Sequence, residues 1–79
     1  MLKVGQVYKY ITEPSTRFVV TAAFDENTRF DYIQNDGVVF SYEKGKYLLN
    51  GTELIAEYST WIEAVNSKEF KVGGNGIKS

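Results

Sequence analysis

The chain reads as mainly β: a small antiparallel SH3-like barrel of five to six short strands with one short helix near the C-terminus. Three observations predict it. Apolar and polar residues alternate with period two from Gln6 to Tyr58, Gly, Asn and Asp interrupt the alternation at short intervals, and a helical period appears only after Thr60. A flat sheet of this size would leave one apolar face in water, and one short helix could cover only part of it. Curling into a barrel buries the rest.

The first strand, about Gln6 to Thr12, sets Gln6, Tyr8 and Tyr10 on one side and Val7, Lys9 and Ile11 on the other. It ends at Glu13-Pro14-Ser15, where the only proline lies. Arg17 to Phe24 alternates most cleanly, with Phe18, Val20, Ala22 and Phe24 on one face, so Phe18 and Val20 are expected in the core. Asp25-Glu26-Asn27 turns the chain into Thr28 to Gln34. Asn35-Asp36-Gly37 tolerates positive φ and suits a type I′ turn or a bulged three-residue loop, after which Val38 to Tyr42 runs back. Glu43-Lys44-Gly45-Lys46 makes the next turn, Tyr47 to Leu49 a short strand, Asn50-Gly51 a tight turn, and Thr52 to Tyr58 the closing strand.

Thr60-Trp61-Ile62-Glu63 then matches a capping box, in which the Thr hydroxyl and the Glu carboxylate each satisfy a backbone donor at a helix start. Trp61, Ala64 and Val65 form one apolar stripe, and Trp61 is expected to plug the barrel end with Phe70 beside it. Phe70-Lys71-Val72 reads as a last short strand or an anchored extension. A single domain would span 1–72, with 73–79 a flexible tail.

Twelve of the 79 residues are aromatic, while His and Cys are absent. Without imidazole or thiol the chain lacks the usual general base near neutral pH, the commonest metal ligand, the thiolate nucleophile and any disulfide. The carboxylates sit on alternating polar faces or in turns, Ser and Thr have no histidine partner, and no calcium or phosphate loop is present. We expect no catalytic residue, no metal and no cofactor. The absence of cysteine fits a reducing, cytoplasmic setting, and no apolar run is long enough to span a membrane.

Six tyrosines exceed what so small a core can bury with paired hydroxyls, so several are expected to face solvent. Tyr8, Tyr10, Tyr32 and Tyr42, with Arg17 and Arg29, are the candidate binding residues. Aromatic and Arg side chains dominate protein–protein hot spots and also form stacking platforms for single-stranded nucleic acid. The formal charge of −1 favours a protein partner. By this division Phe18, Phe30, Phe40, Trp61 and Phe70 make the core and the tyrosines the working surface.

The segment from Glu57 to Phe70, Glu57-Tyr58-Ser59-Thr60-Trp61-Ile62-Glu63-Ala64-Val65-Asn66-Ser67-Lys68-Glu69-Phe70, resembles small proteins encoded by phages and prophages of low-GC Gram-positive bacteria. The opening Lys3-Val4-Gly5-Gln6-Val7-Tyr8-Lys9 has a similar look. The resemblance covers about a quarter of the chain and brings no catalytic residues with it. It implies a compact accessory protein that acts by binding, with an inhibitor of a host defence nuclease such as a CRISPR effector as the sharper form. A single-stranded nucleic-acid-binding barrel and a virion assembly component are the alternatives.

Overall fold

The computed structural model describes residues 2–25, 29–41 and 49–73. Five antiparallel strands, β1 (Gln6–Tyr10), β2 (Arg17–Asp25), β3 (Arg29–Gln34), β4 (Val39–Phe40) and β5 (Thr52–Glu57), form one sheet in the order β4-β3-β2-β1-β5. Two short helices follow, α1 (Trp61–Val65) and α2 (Lys68–Gly73). The mainly β class therefore holds, but the sheet is open: among the described residues β4 and β5 form its two edges.

Local chemistry explains the hairpins. Between β1 and β2, Thr16 N donates to Glu13 O at 2.8 Å and Tyr10 N to Thr16 O at 3.1 Å, which turns the chain around Pro14. Between β3 and β4, Gln34 N donates to Val38 O at 2.9 Å across the loop Asn35-Asp36-Gly37. Asp36 Oδ1 accepts from Val38 N at 3.0 Å, and Gly37 alone of the three takes a positive φ, 93°. This is the bulged three-residue loop of the two forms expected.

The sheet buries both faces. Tyr8, Phe18, Val20, Phe30 and Tyr32 point to one face with Leu2, and Tyr10, Phe40 and Leu49 pack around them. Val7 and Val19 point to the other, where Ala64 of α1 and Phe70 of α2 cover them. Phe18, Phe30, Val7, Val19 and Val20 are fully buried.

Two irregularities in β2 correct the expected faces. Val20 pairs with Tyr32 but Ala22 with Asp31, so Thr21 is an extra residue, and Phe24 is a second one between Ala23 and Asp25. Each bulge reverses the parity of the alternation. Ala23, opposite Phe30, takes the place expected for Ala22 on the aromatic face, and Phe24 is left 63% exposed with the Arg29 guanidinium 5.7 Å from its ring centroid. Bulges also deepen twist and bend, which is how an open sheet can wrap its aromatic face without closing.

Three further expectations change. Phe70-Lys71-Val72 belongs to a helix: Ser67 Oγ accepts from Phe70 N at 3.4 Å and Lys71 N donates to Ser67 O at 3.0 Å, so Ser67 caps α2 as Thr60 caps α1. Gly73, assigned to the tail, closes that helix. Trp61 is not a plug, because the small Ala64 lets α1 lie close to β1 and β2 and Phe70 fills the remaining space, leaving Trp61 41% exposed at the first helical position. Leu49 stands in a helical turn instead of a strand. The rest of that expected strand, the preceding turn, Tyr42 and the tail from 74 onward lie outside the described residues.

Candidate functional site

The expected tyrosine surface is largely interior. Tyr8 and Tyr32 are only 6% and 3% exposed, and Tyr10 is half-buried. Ring centroids lie 4.6 Å apart for Phe18 and Tyr32, 4.7 Å for Tyr32 and Phe40, and 5.2 Å for Tyr8 and Phe18. Stacking and edge contacts at these separations make the tyrosines part of the core.

Their hydroxyls find partners that the sequence does not advertise. Tyr8 Oη donates to Gln6 Oε1 at 2.9 Å, Lys3 N donates to the same oxygen at 2.8 Å, and Gln6 Nε2 donates to Glu57 Oε2 at 3.1 Å. Gln6 is the buried polar residue that makes Tyr8 admissible in the core. Burial, and secondarily Glu57, push the Tyr8 hydroxyl above its ordinary pKa. Tyr10 Oη donates to Gln34 Oε1 at 3.1 Å.

The two arginines do not join the tyrosines. Arg17 neighbours Phe18 on β2 and so projects to the helix side, where Nε donates to Pro14 O at 3.0 Å and Nη1 to Glu69 O. Arg29 neighbours Phe30 in the same way and lies over Phe24. The described members of the predicted constellation, Tyr8, Tyr10, Tyr32, Arg17 and Arg29, are thus divided between the two faces of the sheet.

Outward-facing apolar residues lie on the sheet, as Phe24, Val39 and Leu54 do, and on α1, where Trp61 and Ile62 are exposed. An open groove of about 570 Å³ is lined by Tyr58, Ile62, Glu63, Asn66, Ser67, Lys68 and Glu69. Each wall has a local cause. Tyr58 N donates to Gly5 O at 3.0 Å, and Gly5 has φ 96° with no room for a side chain, since a Cβ there would lie 2.2 Å from Tyr58 O. That close approach fixes the end of β5 against the start of β1.

Thr60, in extended backbone, caps α1 by accepting from Glu63 N at 3.2 Å. The capping box is half formed: Glu63 Oε1 instead accepts from Ser59 Oγ at 2.8 Å, which holds the carboxylate at the first turn. At the other end Asn66 Nδ2 donates to Ile62 O at 3.0 Å and Ser67 Oγ to Ala64 O at 2.6 Å, turning the chain sharply into α2.

Side chains from three parts of the sheet then grip α2. Tyr58 Oη donates to Glu69 Oε1, Arg17 Nη1 donates to the Glu69 carbonyl, and Asn35 Nδ2 donates to Ser15 O at 2.8 Å and Phe70 O at 3.4 Å. The Tyr58 hydroxyl, followed by the backbone, holds the Glu69 carboxyl below its ordinary pKa, while the bond to Glu69 raises Tyr58 above its own. Both shifts move away from neutrality, opposite to what acid–base catalysis needs. Among the described residues no group of three or more acidic side chains is placed to hold a metal ion, and no helix is long and apolar enough to cross a membrane.

Of this groove the sequence singled out Glu63 in the helix cap, Tyr58 among the six tyrosines, and Asn66 and Ser67 as the helix stop, but not Ile62, Lys68 or Glu69 as site residues. Ser67-Lys68-Glu69 carries a second cap signal, Ser followed by an acidic residue two positions on, that could have placed α2 and with it Glu69. Comparison with protein-family models, curated proteins and solved structures gives no match to the chain.

Proposed function

We propose that the chain is a non-catalytic binding protein that engages a protein partner through the head of α1 and the adjoining groove. The carrying observation is that Trp61 and Ile62, consecutive on α1, are 41% and 57% exposed. A single exposed apolar side chain needs no explanation, but two large consecutive ones, the second lining a groove with Tyr58, form a candidate anchor. Folding does not require them there, because Ala64 and Phe70 already cover the helix side of the sheet.

The net charge of −1 supports protein over nucleic acid as the partner class. The bulges in β2 support an SH3-like curvature, and the absence of cysteine supports a cytoplasmic setting. In the phage-like setting that the sequence resemblance implies, the partner is a host protein, with a defence nuclease such as a CRISPR effector as the sharper reading.

A photo-crosslinking amino acid at position 62, irradiated in lysate of a low-GC Gram-positive host, tests the proposal. One dominant crosslinked protein is expected, and it should disappear when Trp61→Ala is added. Recovery of nucleic acid alone, or of the same protein regardless of Trp61, overturns the assignment.

A further inference from the structure

Resting on that reading, we infer that the segment docking at this surface is arginine-bearing, with an apolar residue seated on Ile62 and a guanidinium set between the aromatic rings and the groove carboxylates. Glu63 and Glu69 both line the groove, and neutral hydroxyls satisfy them, Ser59 for the first and Tyr58 for the second. Among the described residues the ion pair is elsewhere, Lys9 with Glu53 at 3.7 Å. An ionised carboxylate has acceptor sites for several donors; Glu63 takes one hydroxyl and Glu69 takes the Tyr58 hydroxyl and a backbone N–H, so each can receive more.

Lys68 and Arg17 both favour the ionised form of Glu69, but neither closes an ion pair with a groove carboxylate. Arg17 commits donors to the carbonyls of Pro14 and Glu69, and Lys68 lines the groove without an ion pair to either carboxylate. Two carboxylates against one ammonium leave the lining acidic. Tyr58 lines the groove as well, and Trp61, the only tryptophan of the chain, is exposed one residue before the lining Ile62 on α1. Aromatic faces and carboxylates attract the same species, a cation, and a planar guanidinium can stack on a ring while donating in its plane to an acid. An ammonium cannot do both so well, and an acidic or phosphate-rich segment is repelled.

Trp61, as the sole tryptophan, supplies the readout. The intact chain is titrated with a capped peptide Gly-Leu-Arg-Leu-Arg-Gly and with its Lys and Glu counterparts while Trp61 emission is followed. The Arg peptide should shift the emission, with the Lys peptide weaker and the Glu peptide inert. Glu63→Gln, which keeps a capping side chain, should weaken the Arg peptide by about two- to fivefold, and Lys68→Gln should strengthen it by a similar factor. Asp36→Asn, outside the groove lining, should leave it unchanged. No shift by the Arg peptide up to about 1 mM, equal response to Lys or Glu, or equal loss in Asp36→Asn overturns the inference. If crosslinking at position 62 still captures a Trp61-dependent protein, only the arginine assignment falls; if it does not, the binding reading falls as well.

Discussion

Gly5 joins the sheet to the helix layer. Its N–H donates to Val20 O and its carbonyl accepts from Tyr58 N, both at 3.0 Å, at a φ of 96° that L side chains rarely adopt. A methyl group at this position would have to move the Tyr58 backbone as well as accept the strain, so Gly5→Ala should destabilise the fold by more than about 3 kcal/mol. Gly37 has nearly the same φ, 93°, with nothing near its absent Cβ, and Gly37→Ala should cost only about 1 kcal/mol. Urea denaturation of the two variants separates the contact from the conformation. Trp61 and Phe18 offer a second contrast between side-chain size and burial. Phe18 is fully buried, so Phe18→Ala should cost about 3 to 5 kcal/mol, whereas Trp61→Ala leaves a surface notch that water fills and should cost about 1 to 2 kcal/mol. Equal losses in chemical denaturation would return Trp61 to the core.

At the scale of elements, α2 depends on polar contacts as much as on Phe70, and one of them titrates. The folded Glu69 carboxyl lies below its ordinary value of 4.5, so its contribution is complete above that value and is lost as pH falls through the folded one. The Tyr58 hydroxyl lies above its ordinary 10.0, so its contribution is complete below 10.0 and is lost as pH rises through the folded value. Docking of α2 should therefore be firmest between those limits and loosen beyond both, visible as movement of the 13C-detected shifts of Phe70 and Lys71. Tyr58→Phe should remove the alkaline limb and weaken the acid one, because the backbone, Lys68 and Arg17 still favour ionised Glu69; an alkaline limb that survives would place its origin elsewhere. The same elements show what the sequence could disclose. Period-two alternation located β1, β2, β3 and β5 to within a few residues, and the Thr60 signal located α1, because each depends on nearby residues. The bulges depend on which residue of β3 meets which residue of β2, a register that alternation within one strand does not contain. Phe70-Lys71-Val72 misled because three alternating residues are too few to distinguish a strand from a helical turn. Tyr8 misled for a related reason: its burial depends on Gln6, which the alternation shows as another polar residue and the fold turns into a hydroxyl acceptor. The candidate groove was the least legible part, since it is assembled from the end of β5 and two helices whose mutual placement is set by Gly5, Arg17 and Asn35.

At the scale of the whole molecule, both cores are built on the same two strands. Tyr8, Phe18 and Val20 serve the aromatic face while Val7 and Val19, their immediate neighbours, serve the helix face, so neither side can be exposed without disturbing the backbone that holds the other. The helices also cannot be a detachable layer in equilibrium terms, because α1 and α2 supply Ala64 and Phe70, the buried residues that cover Val7 and Val19. A chain of 79 residues has too little apolar area for either face to stay folded alone. Unfolding should therefore be a single cooperative transition. Two probes sit on opposite sides of the sheet: emission from Trp61 reports α1, and near-ultraviolet circular dichroism reports the packed rings of Tyr8, Phe18, Tyr32 and Phe40. Their denaturation midpoints should coincide in the native chain and move together in Phe18→Ala and in Phe70→Ala, although each substitution touches only one face. An earlier midpoint for Trp61, with the ring signal intact, would mean that the helix layer is a separate low-stability unit, and the shared-strand argument would then be wrong.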